Sequence, residues 1–186
     1  MRPALLATLL LTAALASAGP LDDGLAAFNA GDYARAKALW QPLAEAGNAD
    51  AQFNLGLLHA GGPGVSRDDR AALYWYTLAA RQGHADAQYN LGLLYAQGRG
   101  TFRSDRDALE WWKLAAGHGH ADARFNLGLL YAYGMGCRQD GDAAVAQWEA
   151  AARAGHARAR ETLAQVYTEG LFGQPKDPAK AALWNP

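Results

Sequence analysis

The run Ala49-Asp50-Ala51-Gln52-Phe53-Asn54-Leu55-Gly56-Leu57-Leu58 returns 36 positions later, from Ala85 to Leu94, and again 36 later, from Ala121 to Leu130. A fixed period of this size is the mark of a stacked repeat array, in which each unit buries its apolar face only against its neighbours. Two glycine columns keep the same step: Gly47, Gly83, Gly119 and Gly155, and Gly62, Gly98, Gly134 and Gly170. Each follows a stretch of helical composition, where a residue free to take positive φ ends a helix without steric strain. Every unit therefore reads as two helices and two turns.

In the first helix of a unit (helix A), Ala51, Leu55 and Leu58 fall at i, i+4 and i+7, and Ala87, Leu91 and Leu94 repeat them, which is the pattern of a buried helical face. Helix B is predicted from about Asp69 to Arg81, with Ala72, Trp75, Leu78 and Ala79 on one stripe, mirrored by Ala108, Trp111, Leu114 and Ala115. Gly56, Gly92 and Gly128 stand mid-helix, at about 1 kcal/mol each against alanine, so close helix contact is expected there. Asp68, Ser104 and Asp140 hold the helix-B entry, each able to accept from an orphan N–H. Asp177-Pro178 supplies the same start in the last unit if the Leu171-Phe172-Gly173 loop carries one extra residue, which brings Trp184 into line with Trp75 and Trp111.

These residues carry a resemblance: A-D-A-Q-[FY]-N-L-G-x-x-Y, then G-x-G, an acidic or hydroxyl residue, and A-x-x-W is similar to the Sel-one-like repeat family, relatives of the tetratricopeptide repeats. It covers residues 47 to 186. In the fourth unit Arg158, Glu161, Thr162 and Ala164 depart from it, as suits a terminal repeat with no following neighbour. The resemblance implies an all-α fold, a right-handed α-solenoid of four to five antiparallel helix pairs. Residues 19–46 read as a shorter opening unit, 47–82, 83–118 and 119–154 as three full repeats, and 155–186 as a divergent last one. Trp40 aligns with Tyr76, Trp112 and Trp148, and Pro42 is expected to kink or weaken the helix it interrupts.

Arg2 followed by an uncharged Ala/Leu stretch from Ala4 to Ala16 and closed by Ala16-Ser17-Ala18 predicts a secretory signal peptide over residues 1–18, cleaved after Ala18. No later run approaches the roughly 20 apolar residues of a membrane span. A periplasmic or secreted protein is expected. With 17 Lys and Arg against 18 Asp and Glu, the chain lacks the basic footprint of a nucleic-acid binder.

Candidate chemistry is sparse, and no cofactor or metal is expected. His84, His120 and His156 form one column begun by Asn48, but ligands one repeat apart cannot converge on an ion with bonds of about 2.0–2.1 Å; capping or turn packing explains them better. His118 and His120 together offer only two ligands. Ser66 and Ser104 lack a nucleophile-elbow context, Glu110, Glu149 and Glu169 suggest no shared cleft, and Gly61-Gly62-Pro63-Gly64 lacks the Gly-Lys-Ser/Thr of a phosphate loop. Cys137, the single cysteine, reads either as a redox or bridging thiol or as an incidental loop residue. The cysteine-rich secreted members of the family carry paired cysteines that this chain lacks.

Surface recognition remains. Similarity to tetratricopeptide repeats implies that helix A lines a concave face, with inward candidates Asp50, Phe53, Leu57 and Gly61; Asp86, Tyr89, Leu93 and Gln97; and Asp122, Phe125, Leu129 and Tyr133, with Glu169 closing the last column. Acidic rows beside apolar ones suit an extended peptide with basic and apolar side chains. Phe53, Tyr89 and Phe125 also suit the core of a tight helix stack, and Trp75, Trp111 and Trp112 read as inter-helix core or, alternatively, a carbohydrate platform. The family resemblance implies a non-catalytic adaptor with a protein or peptide partner; a binder or modifier of cell-wall glycan or peptide is the alternative, and self-association through open repeat ends the third reading.

Overall fold

The computed structural model describes residues 19–61 and 66–185, and the expected signal peptide and the middle of the Gly61-Gly62-Pro63-Gly64 loop lie outside them. Ten helices and no strand form the described chain: α1 (Pro20–Asn29), α2 (Tyr33–Glu45), α3 (Ala49–His59), α4 (Asp69–Arg81), α5 (Ala85–Gln97), α6 (Asp105–Gly117), α7 (Ala121–Tyr133), α8 (Gly141–Arg153), α9 (Ala157–Glu169) and α10 (Pro178–Trp184). Each packs on the next in chain order, and α3 also touches α5 directly. The result is an all-α solenoid of helix pairs, its core drawn out as successive apolar clusters along the array.

Local chemistry explains where the helices begin and end. Asp68, Ser104, Asp140 and Asp177 each accept from a first-turn backbone N–H, at 3.0, 3.1, 2.9 and 3.0 Å, and so satisfy a donor the helix cannot. Gly98, Gly134 and Gly170 close α5, α7 and α9 in the left-handed region. The Asp177 cap places the extra residue of the last loop before α10, as the register requires. Helix α2 continues through Pro42 to Glu45, because Pro42 sits on the exposed side while Trp40 and Ala44 hold the buried one.

The mid-helix glycines answer to a ring. A Cβ on Gly92 or Gly128 would lie 2.6 Å from Cδ1 of Trp112 or Trp148, and one on Gly56 2.5 Å from Tyr76 Cδ1. Gly24 meets Trp40 in the same way. Trp40, Tyr76, Trp112 and Trp148 all stand eight residues after their helix cap, and the indole N–H groups of Trp40, Trp112 and Trp148 each donate to a helix-A carbonyl, of Leu21, Tyr89 and Phe125, at 3.1 Å. In the last unit the ring position is Asn185 and the glycine position Ala164, so the small residue disappears together with the ring that requires it.

The helix-B stripe needs correction in part. Ala72, Trp75, Ala79, Ala108 and Ala115 are buried as expected, but Leu114 is 50 % exposed and Trp111 half-buried, and α6 buries Leu109, Trp112 and Ala116 beside the two alanines. The stripe is rotated toward the ring column because the glycine groove of helix A, not the apolar periodicity of helix B alone, sets which side of α6 faces inward. Polar latches tie the pairs together: the amides of Gln52 and Gln88 donate to the carbonyls of Ala44 and Ala80, and Arg124 Nε to that of Ala116, at 2.9, 3.1 and 3.2 Å.

Candidate functional site

The histidine column caps helices. The Nδ1 atoms of His84, His120 and His156 accept from the backbone N–H of Ala87, Ala123 and Ala159 at 3.2, 3.3 and 3.0 Å, as Asn48 Oδ1 accepts from Ala51. With Nδ1 accepting, Nε2 is the ring nitrogen left to donate. That Nε2 faces Asp50, Asp86 or Asp122 of the preceding unit at 3.4, 3.3 and 3.1 Å. Both ring nitrogens are thus engaged within the fold. His120→Ala should lose about 1 kcal/mol, the usual worth of an N-cap, whereas His120→Asn should keep most of the stability because Asn48 already fills this column; urea unfolding of the pair checks it.

The same rings cover the aromatic row. Phe53, Tyr89 and Phe125 stack on His84, His120 and His156 with centroids 4.5, 4.4 and 4.6 Å apart. Phe125 is buried and also lies under the Arg158 guanidinium, while Phe53 and Tyr89 are half-buried. The Tyr89 hydroxyl lies against Asn126 and near Asp122 of the next unit; burial first, and then the Asp122 charge, raise its pKa. These rings close the junctions between units, each with one face against a histidine.

The remaining candidates form an open stripe along helix A. The side chains of Asp50, Asp86 and Asp122 are 63, 59 and 57 % exposed. Leu57 is exposed and Leu93 and Leu129 half-buried, and Gly61, Gln97, Tyr133 and Glu169 end the stripe in the open. Tyr133 meets Phe172 edge-on at 5.4 Å, and Glu169 accepts from the Gln165 amide. Sequence reasoning missed the asparagines of this stripe. Asn54, Asn90 and Asn126 lie four residues after each aspartate and three before each leucine, so all occupy one line down the helix. Asn54 is 8 % exposed and its amide has no hydrogen-bond partner among the described residues, yet neither amide atom is fully enclosed. The i+4 step from the aspartate was the available signal.

Several polar groups elsewhere are engaged in the structure itself, although the buried Gln88 Oε1 has no hydrogen-bond partner among the described residues. Asp69 takes hydrogen bonds from Arg67 and from Arg99 of the next loop, which hold its carboxyl down at about 2. Glu110 pairs with Lys113 at 3.0 Å and Glu149 with Arg153 at 2.7 Å, both within one helix turn. Cys137 packs against the α6–α7 core with its sulfur 3.8 Å from the Leu130 carbonyl, and burial raises its pKa, disfavouring the thiolate. Trp75 and Trp112 are 9 and 5 % exposed, and Trp111 is half-buried. A flat sugar platform would need those rings in the open.

A family model for the Sel1 repeat matches residues 49–84, 85–120, 121–156 and 159–184. No curated protein matches the chain. Among solved structures, the fold is similar to a Sel1 repeat protein from Oxalobacter formigenes, with 31% identity and a TM-score of 0.80, covering 89% of this chain and 49% of that one. It is likewise similar to c5321, a protective antigen of uropathogenic Escherichia coli strains with an SLR fold, at 30% identity and a TM-score of 0.83, covering 89% of this chain and 36% of that one. The chain thus spans about half the length of the first and about a third of the second. A Sel1 repeat protein from Klebsiella pneumoniae shares the fold at 22% identity, with a TM-score of 0.53, covering 89% of this chain and 82% of that one.

Proposed function

The chain belongs to the Sel1 repeat family, and from that premise we propose that it is a non-catalytic adaptor of the bacterial cell envelope that binds a protein or peptide partner along the exposed stripe of its A helices. Sel1 repeat proteins are in general scaffolds for protein–protein interaction. The observation that carries the reading is the stripe itself. Three consecutive units present an aspartate, an asparagine and a leucine in line, ending at Gly61, Gln97 and Tyr133. Repeated packing does not require exposed carboxylates to stand in line with partly open leucines; a surface that recognises a chain does. The envelope assignment is supported by the apolar stretch from Ala4 to Ala16 and the small residues that follow it.

Photo-crosslinking in the native host tests the surface. A crosslinking amino acid at Gln97 or Tyr133 should capture a protein that the same group at Arg106, exposed on α6, does not. Capture from Arg106 alone would overturn the proposed face. N-terminal sequencing of the mature protein should begin at Gly19; an intact chain recovered only from the cytosol would remove the envelope assignment.

A further inference from the structure

We propose that the groove between α6 and α8, over α7, binds the C-terminal aromatic residue of a peptide, with its ring on Leu127 and its free carboxylate on Arg124. The site lies apart from the stripe. Arg124, Leu127 and Tyr131 fall at i, i+3 and i+7 on α7, on the side away from Asp122, Asn126 and Leu129.

The ring follows from a break in the tryptophan column. Trp75, Trp111 and Trp184 hold one position of helix B, and each packs with the core cluster that contains the helix-A leucine of its own unit: Leu55, Leu91 and Leu163. In the third unit that position is Gln147, and the leucine is Leu127. Three residues on, Ala150 stands where the earlier units have Leu78 and Leu114. Both changes exchange a large apolar side chain for a smaller one on the same side of α8. An open groove of about 400 Å³ lies there, lined among others by Lys113, Arg124, Leu127, Tyr131, Gln147 and Ala150. Its size is within the roughly 300–1,000 Å³ of small-ligand pockets, with room for the indole or phenyl ring that this unit does not supply itself.

The carboxylate follows from the cations on the same groove. The column filled by Gln52 and Gln88 becomes Arg124. Packing asks one thing of that column, a donor to the carbonyl of Ala44, Ala80 or Ala116, and Arg124 meets it with Nε at 3.2 Å. That bond fixes the guanidinium plane. Both Nη groups are left without a hydrogen-bond partner, and no carboxylate lies within ion-pair distance of them, among the described residues. A half-buried guanidinium held in this way is prepared for a carboxylate. Lys113, in place of Thr77, adds a second cation, its ammonium 3.0 Å from Glu110, which does not line the groove. Ring and charge together select a C-terminal residue, because its α-carbon carries both the side chain and the free carboxylate. An internal Asp or Glu brings the charge without the ring. The open side of the groove lets the preceding chain leave. Neighbouring junctions lack the combination: one unit earlier the residues are Gln88 and Trp111, and one unit later Arg160 keeps the cation but Trp184 fills the ring position and Glu149 replaces the lysine.

The test is calorimetric titration of the purified protein with the peptide Ala-Ser-Gly-Trp as the free acid, the same peptide as its C-terminal amide, and Ala-Ser-Gly-Ala as the free acid. The first should bind at least about tenfold more tightly than either other, and its affinity should fall as salt rises. Gln147→Trp completes the tryptophan column and should remove binding. Arg124→Gln keeps the carbonyl latch, as Gln52 and Gln88 do, and should weaken the free acid by about tenfold or more while leaving the amide unchanged. Each variant installs a residue that other units already carry, and a thermal melt establishes that it is folded. Indole-3-propionate, with ring and carboxylate but no chain, should bind more weakly than the peptide; equal or tighter binding would assign the groove to a free aromatic acid and overturn the peptide occupant. Equal binding of the amide, unchanged affinity in either folded variant, or no binding of the free acid also overturns the proposal. Crosslinking from Gln97 or Tyr133 reads the opposite side of α7 and its neighbours, so the stripe and the groove fail separately.

Discussion

Gly128→Ala is expected to destabilise the protein by about 2 kcal/mol, although alanine is the better helix former by about 1 kcal/mol. The added methyl would lie 2.6 Å from Cδ1 and 2.9 Å from Cε2 of Trp148, a ring with no exposed surface. Moving the ring breaks its N–H bond to the Phe125 carbonyl, worth about 0.5–1.5 kcal/mol, and disturbs a packed core at about 1–3 kcal/mol. The decisive readout is non-additivity in urea unfolding. In a Trp148→Ala background the glycine has nothing to accommodate, so adding Gly128→Ala should be neutral or stabilising by up to about 1 kcal/mol. Ala164→Gly should lose about 1 kcal/mol in the unit that has no ring opposite. Additive losses from the Gly128 and Trp148 changes would sink the account.

Gly141→Ala is expected to release the C-terminal end of the array. In the earlier units a loop glycine lies against the first residue of the preceding helix B: a Cβ on Gly136 would be 2.5 Å from the Asp105 carbonyl carbon, and one on Gly100 2.6 Å from that of Asp69. At the last junction the roles are exchanged. Phe172 takes the loop position with φ 55, in the left-handed region that favours glycine, and the glycine stands opposite, at Gly141. A methyl there would overlap the Phe172 carbonyl oxygen and lie 2.8 Å from its carbon. These are backbone atoms, so the loop itself must move, taking the Phe172 ring off Trp148 and Tyr133. Helix α10 buries no residue fully and depends on that loop for its placement. Amide exchange should therefore accelerate across residues 171–185 while α3 to α6 remain protected. Gly141→Asp with Phe172→Gly restores the arrangement of the other junctions and should recover part of the protection. Unchanged exchange in Gly141→Ala would refute the assignment.

The helix ends were legible because their chemistry is local. Asp68, Ser104, Asp140 and Asp177 cap whatever helix follows them, and the 36-residue step carries each assignment from unit to unit. The inward side of helix B was less so. Trp111 and Trp112 are adjacent, with alanines on both sides, and the apolar pattern does not choose between them; the groove at Gly92 does, by admitting the Trp112 ring. The candidate surface divided in the same way. Asp50, Leu57 and Gln97 were reached by position within the repeat. Asn54 was not, because a residue that recurs in three units of a packing motif looks like packing until its amide is found without a partner among the described residues.

The period, composition and capping residues were sufficient for an all-α array of helix pairs with helix B at Asp69–Arg81, since these follow from backbone hydrogen bonds and burial between sequence neighbours. The orientation of each side chain across the junctions was settled by contacts between residues far apart in the chain: Gly128 with Trp148, Gly141 with Phe172, and His120 with both Asp86 and Tyr89. Such pairs depend on the rotation of one helix against another. That rotation is a compromise among many packed side chains, and no single segment encodes it.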